Sequence, residues 1–317
     1  MVGAYAVASD TGRKRRRNED NYVVAPPLFA VADGVGGAQA GEVASKLAAT
    51  VLEGGDSSGL SGLARINALI QEANRRIYER ASSDPSSSGM GTTITVALVD
   101  GMTVGIGHVG DSRAYLVRTE QMEQLTDDHS LVNELVKSGR LSAEEAHLHP
   151  QRSVITRAVG TDASVDVDAF TVEAKDGDIF LLCSDGLSDM VVDEEILELL
   201  DRHRDNLDRA VKALVAAANR GGGEDNITAV AFRIKAQPAG EDTVRMPAVS
   251  LGAEPDERTL EYAPNPRSRT TDTPPDPVEA ELPAAAPRES ARRARLLLTT
   301  VILLALAVGL LVWGLSR

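Results

Sequence analysis

Apolar and polar residues alternate along the first two-thirds of the chain in two rhythms. Gly3 to Ser9 alternates with period two, as a half-buried strand does. Leu28 to Ala32 and Ile179 to Ser184 are short, nearly continuous apolar runs of strand length. Thr92 to Val99 and Thr103 to Val109 read as neighbouring strands joined by a turn at Asp100-Gly101, and Arg113 to Val117 continues the strand pattern. A last strand is expected over Ile227 to Ile234. Helical spacing of apolar residues appears in Gly41 to Leu52, Ile66 to Ala81, Glu194 to Leu200 and Leu207 to Ala218. Gly221-Gly222-Gly223 stops the last of these, and Ser142 with Glu145 forms a capping box. Several strands are consecutive and strict βαβ alternation is missing. The order therefore predicts an α+β domain over residues 1–235, with a mainly antiparallel sheet system and helices packed outside it.

Both rhythms stop near Ala236. From 236 to 295 the chain is rich in Pro, Glu, Asp, Ser, Thr and Ala, and no apolar face survives. Such a segment cannot bury enough surface to offset its ordering entropy, so a disordered linker is expected. Its root-mean-square reach would be on the order of 40–45 Å. Thr243, Thr259, Thr270, Thr271 and Thr273 lie in it as acceptors for a kinase, although plain linker composition explains them as well. Leu296 to Leu315 is then an uncharged apolar run long enough for a transmembrane helix, with Trp313 near one end. Arg288, Arg292, Arg293 and Arg295 precede the run and only Arg317 follows it, which predicts that the main domain is cytoplasmic on a single-pass anchor in the cell (inner) membrane. No secretory signal peptide is expected at the N-terminus.

Composition narrows the chemistry. A net charge of −14 and 3% aromatic residues argue against a nucleic-acid partner. The single cysteine, Cys183, sits inside an apolar run and reads as a buried, inert thiol. Three acidic turns carry more information. Asp33 and Asp185 each end an apolar run and precede glycine, and Asp225 opens one. Carboxylates at strand ends can converge at one edge of a sheet, and hard divalent cations prefer such oxygen ligands. A lone Asp-Gly is usually an ordinary turn; two of them together with Asp225-Asn226, all framing strands, point to a metal enzyme.

Further pieces join these turns in a fixed order. They are Ser9-Asp10-Thr11-Gly12, Arg15 through Asn18-Glu19-Asp20, Asp33-Gly34-Val35-Gly36-Gly37, Gly91-Thr92-Thr93 and His108 through Arg113. Leu125 through Ser130, Thr156 through Gly160, Cys183 through Leu187 and Gly223 through Thr228 complete the series. Together they resemble the bacterial type 2C metal-dependent serine/threonine protein phosphatases. That resemblance implies a central antiparallel β-sandwich flanked by α-helices (αββα). It also implies hydrolysis of phosphoserine and phosphothreonine proteins in opposition to serine/threonine protein kinases. The chemistry would come from two Mn²⁺ or Mg²⁺ ions, which acidify water for in-line attack on phosphorus and offset phosphoryl charge.

By the same resemblance Asp33 bridges both metals and the Gly34 carbonyl ligates one of them. Asp185 and Asp225 complete one shell, and Asp20 serves the other metal, with Glu19 as the alternative. Asp111 with Asp185 holds a third, weaker ion. Arg15, five residues before Asp20, is the phosphate clamp, since a guanidinium can bind two phosphate oxygens at once. Arg13, Lys14, Arg16 and Arg17 around it read as a solvated patch or as steering for acidic phosphopeptides. One departure stands out: eukaryotic members often carry a histidine after the Asp-Gly pair, proposed as general acid, and this chain has Val35. His108 reads as a satisfied structural histidine, and His129 and His149 are weaker candidates still. The segment from Asp127 to Gly160 resembles a mobile flap beside the active site, with a rigid helical excursion as the other reading. A catalytically inactive, phosphoprotein-binding protein at the membrane is the alternative function, as is a scaffold with a purely structural metal.

Overall fold

The computed structural model describes residues 1–36, 40–54, 59–147 and 149–236. Twelve strands and seven α-helices run in this order among the described residues: β1 (Val2–Asp10), β2 (Asn21–Ala25), β3 (Leu28–Ala32), β4 (Gly34–Val35), α1 (Ala40–Gly54), α2 (Gly62–Ser83), β5 (Gly91–Thr92), β6 (Ile94–Asp100), β7 (Thr103–Val109), β8 (Arg113–Arg118), β9 (Gln121–Gln124), α3 (Leu131–Lys137), α4 (Ala143–His147), β10 (Asp168–Glu173), β11 (Ile179–Cys183), α5 (Asp185–Ser188), α6 (Asp193–Arg202), α7 (Leu207–Gly221) and β12 (Ile227–Ile234). Two five-stranded sheets form, in the orders β1-β12-β11-β8-β9 and β10-β7-β6-β3-β2, with a small β4-β5 pair beside them. Every pairing between these strands is antiparallel.

Period-two alternation explains the layers. In β3, Phe29 and Val31 face the other sheet, while Leu28, Ala30 and Ala32 face α1 and α2. In β11, Phe180 and Leu182 point between the sheets, and Ile179, Leu181 and Cys183 point toward α6 and α7. Both strands are buried on both faces, which is why their sequences are unbroken apolar runs. Between the sheets, the Phe232 ring stacks on Phe29 at 4.3 Å and on Phe180 at 5.2 Å. Truncating a phenylalanine in such a core costs about 3–5 kcal/mol. Outside, α2 buries Ile66, Leu69, Ile70, Ala73 and Ile77, and α7 buries Leu207, Val211, Leu214 and Ala218, both at helical spacing. The result is the αββα layering expected from the resemblance.

Some boundaries differ from the sequence reading. The strand expected over Thr92 to Val99 is two strands, broken at Thr93. There Asp33 N–H donates to Thr93 Oγ1 (2.9 Å), and Thr93 N–H donates to the Asp33 carbonyl (2.8 Å). Those bonds divert the chain from one sheet to the small β4-β5 pair. Strands β2 and β9 were not anticipated: both are short and half-exposed, with weak alternation. The capping box is present, with Ser142 N–H donating to Glu145 Oε2 (2.8 Å) and Glu145 N–H donating to Ser142 Oγ (3.2 Å). Apart from Ala236, the linker and the apolar span expected over 236–315 lie outside the described residues. Among the described residues no helix is long and apolar enough to cross a membrane.

Candidate active site

Antiparallel packing brings the ends of β3, β11 and β12 to one end of the sandwich. Asp33 directly follows β3, Asp185 starts α5 just beyond β11, and Asp225 lies two residues before β12. Asp20 immediately precedes β2, and Asp111 lies between β7 and β8. The predicted acids thus come from both sheets and meet electrostatically. Burial, then the charges of Asp20, Asp185, Asp111 and Asp225, push the Asp33 carboxyl well above the usual carboxylate range. Burial, then Asp111, Asp189, Asp225 and Asp20, does the same to Asp185. Asp111 is pushed up to about 7, chiefly by burial and then by Asp128. Asp20 is pushed up to about 6 by burial, although hydrogen bonds from Thr228 and Ser184 oppose the shift.

Partners are missing where they matter. Asp20 Oδ2 accepts from Thr228 Oγ1 (2.6 Å) and Ser184 Oγ (2.8 Å). Asp20 Oδ1, Asp111 Oδ1 and Asp185 Oδ1 are buried with no hydrogen-bond donor. Three orphaned carboxylate oxygens among like charges are costly, and hard divalent cations satisfy such oxygens. The donor set therefore fits the expected metals. The side chains are not set at ligating spacing as they stand: among the described residues no group of three or more His, Cys, Asp or Glu is placed to hold an ion. The Gly34 backbone suits the same role. A Cβ there would lie 2.4 Å from Gly41 backbone atoms and 2.7 Å from the Glu19 carbonyl, so only glycine permits this approach. Glu19 lies beside it, half-buried, near Arg15 and Asp225.

Arg15 stands at the rim, with Nη2 donating to Asp225 Oδ2 at 2.5 Å. Arg15, Asp185 and Asp225 line a cleft of about 190 Å³. Asp111 and Asp185 line a larger cavity of about 430 Å³ under α3. Arg152, Ser153 and Asp189 border both spaces.

Several contributors were not assigned from the sequence. Arg152 reaches from the segment after α4 to Asp189 and to Glu224 (3.3 Å), so it ties the expected flap across the cleft. Its charge carried no distinguishing signal among many arginines. Helix α3 buries none of its side chains, the mark of an element of low local stability, which favours the flap over the rigid excursion. Asn226 belongs to the Gly223 through Thr228 piece, where its side chain carries no sequence signal of its own. Its Oδ1 accepts from Glu19 N–H (2.7 Å), and its Nδ2 donates to the Thr11 and Arg17 carbonyls (2.9 and 2.8 Å). It therefore pins the arginine-bearing loop to the Asp225 turn. Asn226→Ala removes three bonds worth about 1 kcal/mol each, so a loss of about 3 kcal/mol is expected. Urea denaturation checks this as a lower midpoint with unchanged slope.

The remaining candidates are structural. His108 is buried, contacts Thr95 Oγ1 (2.9 Å) and the Asp127 carbonyl (3.1 Å), and is lowered to about 4 by burial. His129 Nδ1 accepts from Gly110 N–H (3.0 Å), which leaves Nε2–H to donate to Asp168 (3.1 Å). His149 Nδ1 accepts from Gln151 N–H (3.2 Å), a local turn contact. Burial raises the Cys183 thiol to about 12, so it is inert as expected. Val35 pairs with Gly91 in the β4-β5 ladder.

Known proteins share this arrangement. Residues 13–227 match the protein phosphatase 2C family. The serine/threonine protein phosphatase PstP of Mycobacterium tuberculosis is 41% identical over 262 residues, covering 82% of this chain and 50% of that protein. The chain thus spans about half the length of that relative. The serine/threonine phosphatase stp of Listeria innocua is 40% identical over 245 residues, covering 74% of this chain and 97% of its own. The crystal structure of M. tuberculosis PstP/Ppp superposes with a TM-score of 0.70 at 42% identity, covering 74% of this chain and 100% of that one. The PstP catalytic domain in complex with two manganese ions gives 0.68 at 40% identity, covering 74% and 99%. With the family match spanning most of the domain and the fold shared at this identity, the chain belongs to the protein phosphatase 2C family.

Proposed function

We propose that the chain is a metal-dependent protein phosphatase that hydrolyses phosphoserine and phosphothreonine monoesters, opposing serine/threonine protein kinases. The observation that carries this reading is the set of orphaned oxygens on Asp20, Asp111 and Asp185, gathered around Asp33 and faced by Arg15. Asp33, the Gly34 carbonyl, Asp185 and Asp225 would hold one cation, with Asp33 shared by a second. Asp20 would serve that second ion, because its free oxygen is buried at the site while Glu19 lies against Gly41. Asp111 with Asp185 would hold a weaker third. When bound, Mn²⁺ or Mg²⁺ supplies Lewis-acid stabilisation of phosphoryl charge and acidifies water.

The chain's own residues do the positioning. Arg15 exchanges Asp225 for the phosphate oxygens, which it grips in a planar fork. Asn226 holds the Arg15 loop in register with Asp225. Val35 brings no proton to the leaving oxygen, and His108 and His129 are engaged in structural hydrogen bonds, so that proton is left to solvent or to another side chain of the cleft. The test is hydrolysis of an aryl phosphate and a phosphothreonine peptide by the full-length chain with Mn²⁺. Turnover that stops with chelator and returns with Mn²⁺ supports the reading; a folded protein inert under both conditions overturns it.

The apolar run 296–315 and its arginine flank support a membrane anchor with the catalytic domain on the cytoplasmic side. Tethering raises the effective concentration near membrane-bound kinases and their substrates. Deleting residues 296–317 is expected to move the protein from the membrane pellet to the supernatant with aryl phosphate hydrolysis retained. Persistence in the pellet would sink the anchor.

A further inference from the structure

A groove lined by three cations lies beside the acidic catalytic cleft. The groove between β1 and α7 holds about 830 Å³ and is lined in part by Ser9, Asp10, Arg13, Lys212, Asn219 and Arg220. We propose that it is an anion subsite for the substrate protein, taking an acidic side chain or second phosphate two or three residues from the phosphoresidue being hydrolysed. The inference rests on the phosphatase reading of the neighbouring cleft.

Charge is the first argument. In a chain of net charge −14, three cations from two distant elements converge here. Lys212 and Arg220 sit on one helix about 12 Å apart along its axis. Lys212 pairs with Asp208 (2.8 Å) and Arg220 with Glu195 (3.7 Å), in each case through largely exposed side chains. Exposed pairs contribute little and are readily exchanged for a better anion. Among the described residues Arg13 has no carboxylate partner, unlike Arg15 and Arg17 on the same loop. The one acid in the lining, Asp10, is already engaged: its Oδ1 accepts from Gly12 N–H (2.9 Å) and Asn219 Nδ2 (3.2 Å).

Position is the second argument. Arg13 and Lys14 N–H groups both donate to the Gly223 carbonyl (2.7 and 3.1 Å), and Arg15 reaches Asp225 from the same loop. The groove and the catalytic cleft therefore lie on either side of one stitched loop. Gly12 fixes its approach, since φ is +77° and a Cβ would lie 2.1 Å from the Asp225 carbonyl. Arg15 is two positions beyond Arg13, at most ~7 Å away between Cα atoms. An extended peptide advances about 3.3 Å per residue, so a side chain two or three positions from the phosphoresidue reaches the groove.

The test uses the full-length chain and the double variant Lys212→Glu/Arg220→Glu, at exposed positions away from the catalytic machinery. Four substrates are compared with Mn²⁺: an aryl phosphate, a phosphothreonine peptide with alanine flanks, the same peptide with glutamates two and three positions to either side, and one with a second phosphothreonine there. Wild type is expected to favour the anionic peptides through KM. The variant should lose about tenfold or more in kcat/KM on those two alone, the loss of two charge contacts. That loss should shrink at high salt. A loss confined to the glutamate or to the doubly phosphorylated peptide identifies the anion. Equal wild-type kcat/KM on neutral and anionic peptides, or a preference that survives in the variant, overturns the subsite. Wild type inert on all four substrates overturns the phosphatase reading instead.

Discussion

Asp33→Asn in the full-length chain is expected to slow aryl phosphate hydrolysis by at least about 10²–10³-fold, while raising the melting temperature measured in chelator. The first effect follows from the place of Asp33 among the site's carboxylates, where burial and four like charges act on it together. Removing one charge-stabilising group from a preorganised site typically costs this much. The second effect has the opposite sign. The Asp33 carboxyl is pushed well above its ordinary range by burial and by its like-charged neighbours, so its ionisation costs the folded, metal-free protein stability that the unfolded chain does not lose. An asparagine carries no such penalty. The gain grows as pH rises above about 4, and each kcal/mol recovered is worth about 2–4 °C for a domain of this size. It should shrink as pH falls toward about 4 and vanish below that, where both states are protonated. Activity lost together with stability would mean that Asp33 is a structural residue, and the site as drawn would fail.

Metal and pH should act on the wild-type chain through the same cluster. Asp20 is raised to about 6 and Asp111 to about 7, and burial with like charges raises Asp33 and Asp185 well above the ordinary range. An unfolded aspartate titrates near ~3.9. Through these four carboxyls the native state binds more protons than the unfolded one between these limits, so stability falls as pH rises from about 4 through 7; His108, lowered to about 4, and His129, also lowered, act in the opposite sense below about 6.5 but are outnumbered. Carboxyls held below their ordinary range, such as Asp168 beside Arg157 and His129, have the reverse sign. Their contribution is complete above about pH 4 and leaves the window unchanged. In chelator the melting temperature is therefore expected to be higher at pH 5 than at pH 7.5. Mn²⁺ replaces the protons, and its affinity grows as the ligands deprotonate. At a hundredfold excess over Kd it adds about 2.7 kcal/mol, or roughly 5–10 °C at pH 7.5, and less at pH 5. Calorimetry on the full-length chain in mild detergent reads both. A melting curve indifferent to chelator, Mn²⁺ and pH across this range would remove the physical basis of the shared site.

The two predictions describe one trade: a site built to receive cations destabilises the fold until they arrive. The groove between β1 and α7 extends that logic to the substrate, because it offers exposed, exchangeable charges rather than buried ones.

Periodicity alone determined the strands that frame the site. Phe29 and Val31 alternate with Leu28, Ala30 and Ala32 because a strand between two packed layers must be apolar on both faces, and that requirement is written locally. The same local rule put Asp33, Asp185 and Asp225 at strand ends, and Ser142 with Glu145 at a helix start. Tertiary structure alone decided which of these ends meet. Asp20 lies 164 residues from Ser184 and 208 from Thr228, yet takes a hydrogen bond from each, a distance no local pattern encodes. The break at Thr93, the tie from Arg152 to Asp189 and the three bonds of Asn226 arise the same way, from polar groups that find partners only once the sheets have packed. Hydrophobic burial acts through spacing along the chain and can be read there; hydrogen bonds and charge act through proximity in space, which only the folded sandwich supplies.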